Sequence, residues 1–439
     1  MPRSVTLLQT IAVSVGVAIG SGIFRVPATV AGILQAPGTM LACWVLGGII
    51  ALCGALTIAE LAGALPRSGG IFAYLLEGYG PLPAFLFGWT ELVVIRAAAL
   101  GAIATIFAEY LGYFVPLSAA AVHYTAAVAI VLIGAINYIG VQRAAAVLSA
   151  TTAVKYGLLM ALGLLAFTAV GGSAAHFTPA WPATLPLSLF ATALIPVLWT
   201  YDGWADPASM AGEIRDPQRN LPLALIAGAA CVMLVYLVVN IGLMYALAPA
   251  QMAGEKLIAA TVAARIPLLG SAGAAVVAAA VVISAFSGLN ASMMTGSRIF
   301  YAMADRGLFF GAAARVSPRF DSPSVAIGLA TALGVVYVLV NDFAQLADKF
   351  ILGIWPFYTL AVAAVFVLRA RRPELPRPYR VWGYPTVPAV FLLASVYMVL
   401  NALITDPRNT GITFAIILAG VPVFWLWGWL RGLRMARQR

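Results

Sequence analysis

This chain is short of charge, of histidine and of cysteine, and each shortage closes off a class of function. Charged residues fill only 9% of its 439 positions, far too few to coat a water-facing surface. The two histidines, His123 and His176, share no ligand spacing with acids or cysteines, so no metal and no cofactor is expected. Cys43, Cys53 and Cys231 all sit in apolar runs, which leaves no framework for a structural disulfide. No HExxH sequence, paired histidines or nucleophile motif appears, so the chain does not read as an enzyme.

What fills the space is apolar residue. Hydrophobic types make up 63% of the chain and mean hydropathy is +0.99, which implies an all-α integral membrane protein. A span needs about 20 apolar residues, and the apolar runs divide into twelve: 6–34, 39–63, 82–112, 121–139, 144–171, 186–212, 222–248, 266–301, 324–341, 347–369, 386–404 and 411–430. Threaded from a cytoplasmic N-terminus, they leave Lys256, Arg265, Lys349 and Arg408 outside and Arg25, Arg96 and Lys155 within spans. The other eighteen of the 25 Lys and Arg residues face the cytoplasm, the bias of the positive-inside rule, with both termini inside. A net charge of +10 scattered over short loops orients helices and meets anionic lipid; it does not indicate nucleic acid. The segment from Arg3 to Gly20 imitates a signal peptide, but its removal would invert the charge bias, so it is read as the first span.

Two spans are interrupted. Gly20-Ser21-Gly22-Ile23-Phe24 lies in the middle of span 1, where each glycine weakens a helix by roughly 1 kcal/mol and a backbone break survives only beside a cavity or under protein. Span 6 carries Trp199-Thr200-Tyr201-Asp202-Gly203. Breaks five spans apart are the mark of an inverted repeat with a midplane site. One repeat covers about 6–171 and the second about 186–369, within a single transporter domain; spans 11 and 12, about 386–430, stand outside the repeat. The second half of span 1 starts near Gly22 and points free N–H groups at the break, an end that attracts a carboxylate. Unpaired carbonyls ending the first halves, near Ala18 and Ile19 and near Trp199 and Thr200, suit an ammonium. Together they match a zwitterionic amino acid.

Further stretches carry a resemblance. Ala59-Glu60-Leu61, Pro66-Arg67-Ser68-Gly69-Gly70, Phe107-Ala108-Glu109-Tyr110, Tyr201-Asp202-Gly203-Trp204, the run from Gly212 to Pro222, Ser297-Arg298-Ile299-Phe300, Trp355-Pro356-Phe357-Tyr358 and Arg377-Pro378-Tyr379-Arg380 follow in order. With them the chain resembles the amino acid, polyamine and organocation transporter superfamily, nearest to its L-type amino acid transporter branch. The resemblance implies a LeuT-like 5+5 inverted repeat with discontinuous helices 1 and 6, and amino acid transport by alternating access. It implies a carboxylate held by amides of Ser21, Gly22 and Ile23, with Gly20 and Gly203 allowing the breaks. It also implies ammonium contacts at carbonyls of Ala18 or Ile19, Trp199, Thr200 and Asp202, and an aromatic gate at Trp199. Animal relatives join a glycoprotein through a cysteine in the loop after span 3. Residues 112–121 hold none, so no disulfide-linked partner is expected and the chain reads as a monomer in a prokaryotic cytoplasmic membrane.

Lys155 lies within span 5, about 18 Å along the helix from Arg143, and a cation stranded there must face the bundle interior. In similar family members this amine stands in for a bound sodium ion, which implies sodium-independent transport with Lys155 as a fixed brace or a titrating group; the alternative is a lysine that only pairs between helices. Glu60, Glu91 and Asp202 against Arg25, Arg96 and Lys155 imply internal pairing. Asp202 reads as a cap on the broken helix, a handler of protons or cations, or a salt-bridge partner. Arg96 has no assigned role, although a free arginine in the pocket would disfavour cationic substrates. Ser284, Ser287 and Asn290 in span 8, and Trp355 and Tyr358 in span 10, read as pocket candidates or as packing contacts. The sequence favours a carrier of neutral L-amino acids, as exchanger or proton symporter. The alternative, a polyamine or cationic amino acid antiporter, would want pocket acids beyond Asp202. A channel fits two offset breaks less well than an occluded site does.

Overall fold

The computed structural model describes residues 5–66, 69–139, 155–184, 187–211, 214–309, 311–315, 317 and 322–437. Arg3, Arg67, Arg143, Glu213 and Arg319, which entered the charge count or the motifs, lie outside the described residues, as does the first part of span 5.

The described chain is helical apart from a single parallel bridge between Val5 and Ile214. Its main helices are α1 (Leu7–Ala18), α2 (Val26–Leu34), α3 (Pro37–Ala64), α4 (Pro81–Leu111), α5 (Ala119–Ile139), α6 (Lys155–Thr168) and α7 (Leu187–Tyr201). They continue as α8 (Pro217–Ala246), α9 (Gly273–Asp305), α10 (Ser324–Val340), α11 (Phe343–Arg371), α12 (Thr386–Thr405) and α13 (Pro407–Arg437). Eight stretches are long and apolar enough to cross a bilayer: α3, α4, α5, α8, Pro267–Gly296, α11, α12 and Pro407–Trp429. Shorter apolar helices run over Leu7–Gly16, Lys155–Thr168, Leu187–Tyr201 and Ser324–Val340. The protein is a multi-pass membrane protein.

Local signals explain where helices begin. Proline occupies the first turn of α3, α4 and α8, where its missing N–H has no intrahelical partner to lose. Thr6 and Gln9 form a capping box at α1, as Asp342 and Gln345 do at α11. The stop inside span 1 is sharper than glycine content alone suggests. Helix α1 ends at Ala18, a single 3-10 turn covers Gly22–Phe24, and α2 resumes only at Val26.

Position in the bundle follows from burial. The most apolar stretch of α4 is 83% buried against 17% for that of α13, so α4 is central and α13 rides at the periphery. Helix α4 is flanked by α9, α10 and α11, while α8 runs along α1 and α3, and α7 packs on α2, α3 and α11. Residues of both broken segments line one cavity together with residues of α4 and α9.

Of the charges within the spans, Glu91 pairs with Arg96 as expected, whereas Glu60 and Arg25 find partners outside that set, Arg369 and Glu109. Glu60 of α3, 1% exposed, is met by Arg369 of α11, whose Nε and Nη2 donate at 2.9 and 2.6 Å. It also lies 3.4 Å from Arg377 Nε and accepts the Val381 N–H at 2.8 Å. Arg377 in turn donates to the carbonyls of Leu368, Arg372 and Leu375, capping α11. One buried carboxylate thus fastens α3 to the end of α11 and to the loop beyond it. Removing it would leave two guanidinium groups and an amide short of an acceptor, at a cost of about 3–5 kcal/mol. Glu60→Ala should lower the melting temperature of the detergent-purified protein by several degrees, and an unshifted transition would show that the node contributes nothing.

Candidate functional site

The break in span 1 exposes backbone donors. The N–H groups of Ser21, Gly22 and Ile23 take no backbone partner among the described residues, because the 3-10 turn uses only the N–H groups of Phe24 and Arg25, which bond to Ser21 and Gly22. The Ser21 hydroxyl, on a side chain 1% exposed, has no hydrogen-bond partner either. Buried groups of this kind are costly to leave unmade.

Opposite them lie two helix ends. Helix α7 stops at Tyr201, and Gly203 takes φ +100, a left-handed conformation that a side chain would strain. Tyr236 of α8 sets its hydroxyl 2.8 Å from the Ala18 carbonyl and 3.0 Å from the Thr200 carbonyl, so one O–H group bridges the ends of both broken helices. Each carbonyl keeps a second lone pair for another donor. Sequence reasoning passed over Tyr236, because a tyrosine in an apolar helix carries no signal until its partner carbonyls are known to be orphaned.

Between donors and carbonyls is a cavity of about 90 Å³, lined by Ala18, Gly20, Ser21, Gly22, Trp199, Thr200, Asp202 and Gly203, with α4 and α9 closing it. Ile19, Ile23 and Tyr201 are buried beside it without lining it; Tyr201 donates to the Trp44 carbonyl at 3.1 Å. Gly22 abuts Trp199 so closely that a Cβ there would lie 2.7 Å from Cζ3 of the indole and 3.0 Å from the Thr200 hydroxyl. Trp199 packs edge-on against Phe343 at 5.3 Å, and the guanidinium of Arg25 covers the same ring at 5.4 Å. Arg25 is held by Glu109 at 3.1 Å, and the Tyr110 hydroxyl donates to the Phe24 carbonyl at 2.8 Å.

A second chamber of about 60 Å³ adjoins the first and reaches Gly69, Gly70 and Ser209. Arg96, Asp202, Asp206, Thr295 and Phe350 belong to both. Arg96 is not free: its Nε donates to Glu91 at 2.9 Å, its Nη2 pairs with the same carboxylate, and its Nη1 donates to the Ser292 carbonyl and hydroxyl, each at 2.8 Å. A π-helical turn over Glu91–Ile95 makes the pair possible. Positions i and i+5 of a regular α-helix stand about 140° apart around the axis, whereas the wider turn brings them onto one face.

Lys155 is 2% exposed and its ammonium has no hydrogen-bond partner among the described residues. It lies behind cavity-lining Gly288, where a methyl would stand 4.0 Å from Nζ. Tyr358 lines the second chamber and donates to Asp202 at 2.9 Å. Trp355 lines neither chamber; its indole N–H meets the Met398 sulfur at 2.6 Å. Ser284 and Ser287 are buried in α9 without lining either chamber, and Asn290 accepts from Asn137.

Two broken helices facing one polar cavity in a membrane bundle define a transport architecture rather than a catalytic one. A family profile described as "Amino acid permease" matches residues 5–427, and the chain belongs to that family. It is an amino acid transporter, and the family implies a LeuT-like fold. It is 30% identical over 429 residues to the serine/threonine exchanger SteT of Bacillus subtilis, covering 97% of each chain. It is 31% identical over 416 residues to the b(0,+)-type amino acid transporter 1 of Homo sapiens, covering 93% of this chain and 84% of the other. The human cystine/glutamate transporter is 29% identical over 442 residues, covering 97% and 85%.

Two substitutions probe the cavity. Gly22→Val should abolish binding of any radiolabelled L-amino acid that the wild-type protein binds, since Trp199 or the turn must move; unchanged affinity would remove Gly22 from the site. Tyr236→Phe leaves two buried carbonyls without their shared donor, a cost of about 1–3 kcal/mol, and should reduce both thermal stability and transport.

Proposed function

We propose that the protein is a sodium-independent secondary transporter of L-amino acids, moving substrates with short neutral side chains by alternating access. The observation that carries this reading is one cavity lined both by Ser21 and Gly22, whose N–H groups take no backbone partner among the described residues, and by Ala18 and Thr200 at the carbonyl ends of the broken helices, with the free N–H of Ile23 beside it. A carboxylate takes the donors and an ammonium the acceptors, so the main chain of the amino acid is bound without a charged side chain. Small residues on the remaining walls, among them Ala99, Gly288 and Ala291, suit a short side chain. Trp199 serves as the lid over it.

The topology of this reading has twelve spans, with 6–171 and 186–369 as inverted repeats, both termini in the cytoplasm and the carrier in the cytoplasmic membrane. It works as a monomer without a disulfide-linked partner. Exchange is favoured over proton symport, in keeping with a relative named as an exchanger. Lys155 replaces a coupling cation: an unpaired ammonium beside the cavity supplies from the protein the charge that a sodium ion would bring.

Liposomes loaded with L-serine should take up labelled L-serine by counterflow at the same rate in sodium and in choline medium. Collapse of uptake in choline would overturn sodium independence, and absence of counterflow in both media would overturn the amino acid reading. Lys155→Ala should cut uptake at least tenfold, whereas full activity would reduce the lysine to a packing element.

A further inference from the structure

At the face that the proposed topology turns to the cytoplasm, the end of α3, the start of α8 and the loop before α12 enclose an open pocket of about 770 Å³. Proline stiffens each wall: Pro66 after α3, Pro222 in α8 and Pro378 in the loop. A Cβ at Gly63 of α3 would touch Pro378 Cγ at 3.4 Å and Pro222 Cγ at 3.5 Å, so the three elements meet at van der Waals distance. Two exposed charged side chains, Asp216 and Arg219, line the pocket. Neither has a side-chain hydrogen-bond or ion-pair partner among the described residues. An aspartate at the N-cap of a helix ordinarily turns its carboxylate onto the first N–H groups. Asp216 does not: its φ is +43, and the N–H groups of Arg219 and Asn220 bond its carbonyl instead, each at 2.9 Å. The wall thus presents a free anion and a free cation side by side. Where the pocket leads follows from α8. Leu223 and Ile226 also line it, at i+4 and i+7 from Arg219 and so on the same face of the helix. That face continues to Leu234; Leu223 is 44% and Leu234 64% exposed, on a helix apolar enough to cross a bilayer. A charged head therefore passes into an apolar stripe that descends into hydrocarbon.

We propose that this pocket binds a phospholipid with a zwitterionic, amine-bearing head, a phosphatidylethanolamine, whose phosphate lies on Arg219, whose primary ammonium lies on Asp216 and whose acyl chain follows Leu223 and Ile226. Only the choice of the cytoplasmic leaflet rests on the proposed topology. Guanidinium and phosphate form the stronger, charge-assisted kind of hydrogen bond, as ammonium and carboxylate do. The two other common kinds of head each fail on one side. An anionic head without an amine satisfies Arg219 but sets its charge against Asp216, and a choline head carries no N–H for the carboxylate to accept. Tyr379 closes the head end of the pocket, a residue type suited to the boundary between membrane and water.

Delipidated full-length protein is mixed in detergent with equal amounts of phosphatidylethanolamine, phosphatidylcholine and phosphatidylglycerol of identical acyl chains, and the retained lipid is read by native mass spectrometry. Phosphatidylethanolamine should be held about tenfold more than phosphatidylcholine, the difference that one charge-assisted hydrogen bond makes. Equal retention of the two, or preferential retention of phosphatidylglycerol, would overturn the proposal. Asp216→Asn should bring phosphatidylethanolamine down to the level of phosphatidylcholine, and Asp216→Glu should keep much of the preference; a preference unchanged in the asparagine variant would remove Asp216 from the site. Arg219→Gln should lower retention of all three lipids, since each carries a phosphate, and retention untouched by it would place the lipid elsewhere. Should the asparagine variant fail to elute as a single species, the wild-type competition and Arg219→Gln decide the matter. The measurement involves no transport, so a carrier that exchanged no amino acid would count against the transport reading and leave the lipid site standing.

Discussion

A helix broken inside a bilayer must find partners for its freed backbone groups, and the architecture around the cavity follows from how that demand is met. In a soluble protein water would solvate the interruption at Gly20 to Gly22. In hydrocarbon each unsatisfied group costs several kcal/mol. This protein settles part of the demand internally. The Tyr236 hydroxyl serves the carbonyls of Ala18 and Thr200 together, and Tyr110 serves that of Phe24. The remainder, the amides of Ser21, Gly22 and Ile23, is left unpaired among the described residues. The division separates scaffold from site: what the bundle satisfies holds the break open, and what it leaves unsatisfied is available to a ligand.

Where satisfaction is complete, charge is used as mortar. Glu60 gathers two arginines and an amide, and the Glu91 and Arg96 pair is completed by Ser292. Both carboxylates are 1% exposed, so their pairs are held where water screens little. The gain lies less in stability, because desolvation offsets much of the attraction, than in geometry. Glu60 fixes the end of α11 relative to α3, and Glu91 keeps the Arg96 guanidinium folded against α9 in the chamber wall.

Much of the fold was legible in the sequence, and the reason is the strength of the apolar signal. Helices α3, α4, α5 and α12 begin and end within about two residues of the apolar runs that announced them. The break in span 1 was legible because two glycines in an apolar run have few other uses. Less legible were features that depend on turn geometry or on distant partners. The π-helical turn at Glu91–Ile95 leaves no mark in an i, i+4 pattern, so the pairing of Glu91 with Arg96 was hidden and the arginine stood without a role. Glu60 finds its partners 309 and 321 positions along the chain, which no local rule anticipates. Asp206 lies just beyond the recognised break in span 6, and only the chamber beneath the cavity gives it meaning.

The two discriminators between neutral and cationic substrates then change sign. The sequence offered Arg96 as a weak argument against cationic substrates and asked for acids beyond Asp202 as the argument in favour. Arg96 is neutralised by its own neighbour, and Glu91 and Asp206 are the further acids. Of those two, only Asp206 lacks a partner, so the electrostatic surplus of the wall resides at one side chain. Asp206 lines both chambers, whereas Ser209 and Gly70 line only the second. The residues following the break of α7 thus reach both chambers, whereas those of the break between α1 and α2 line only the first.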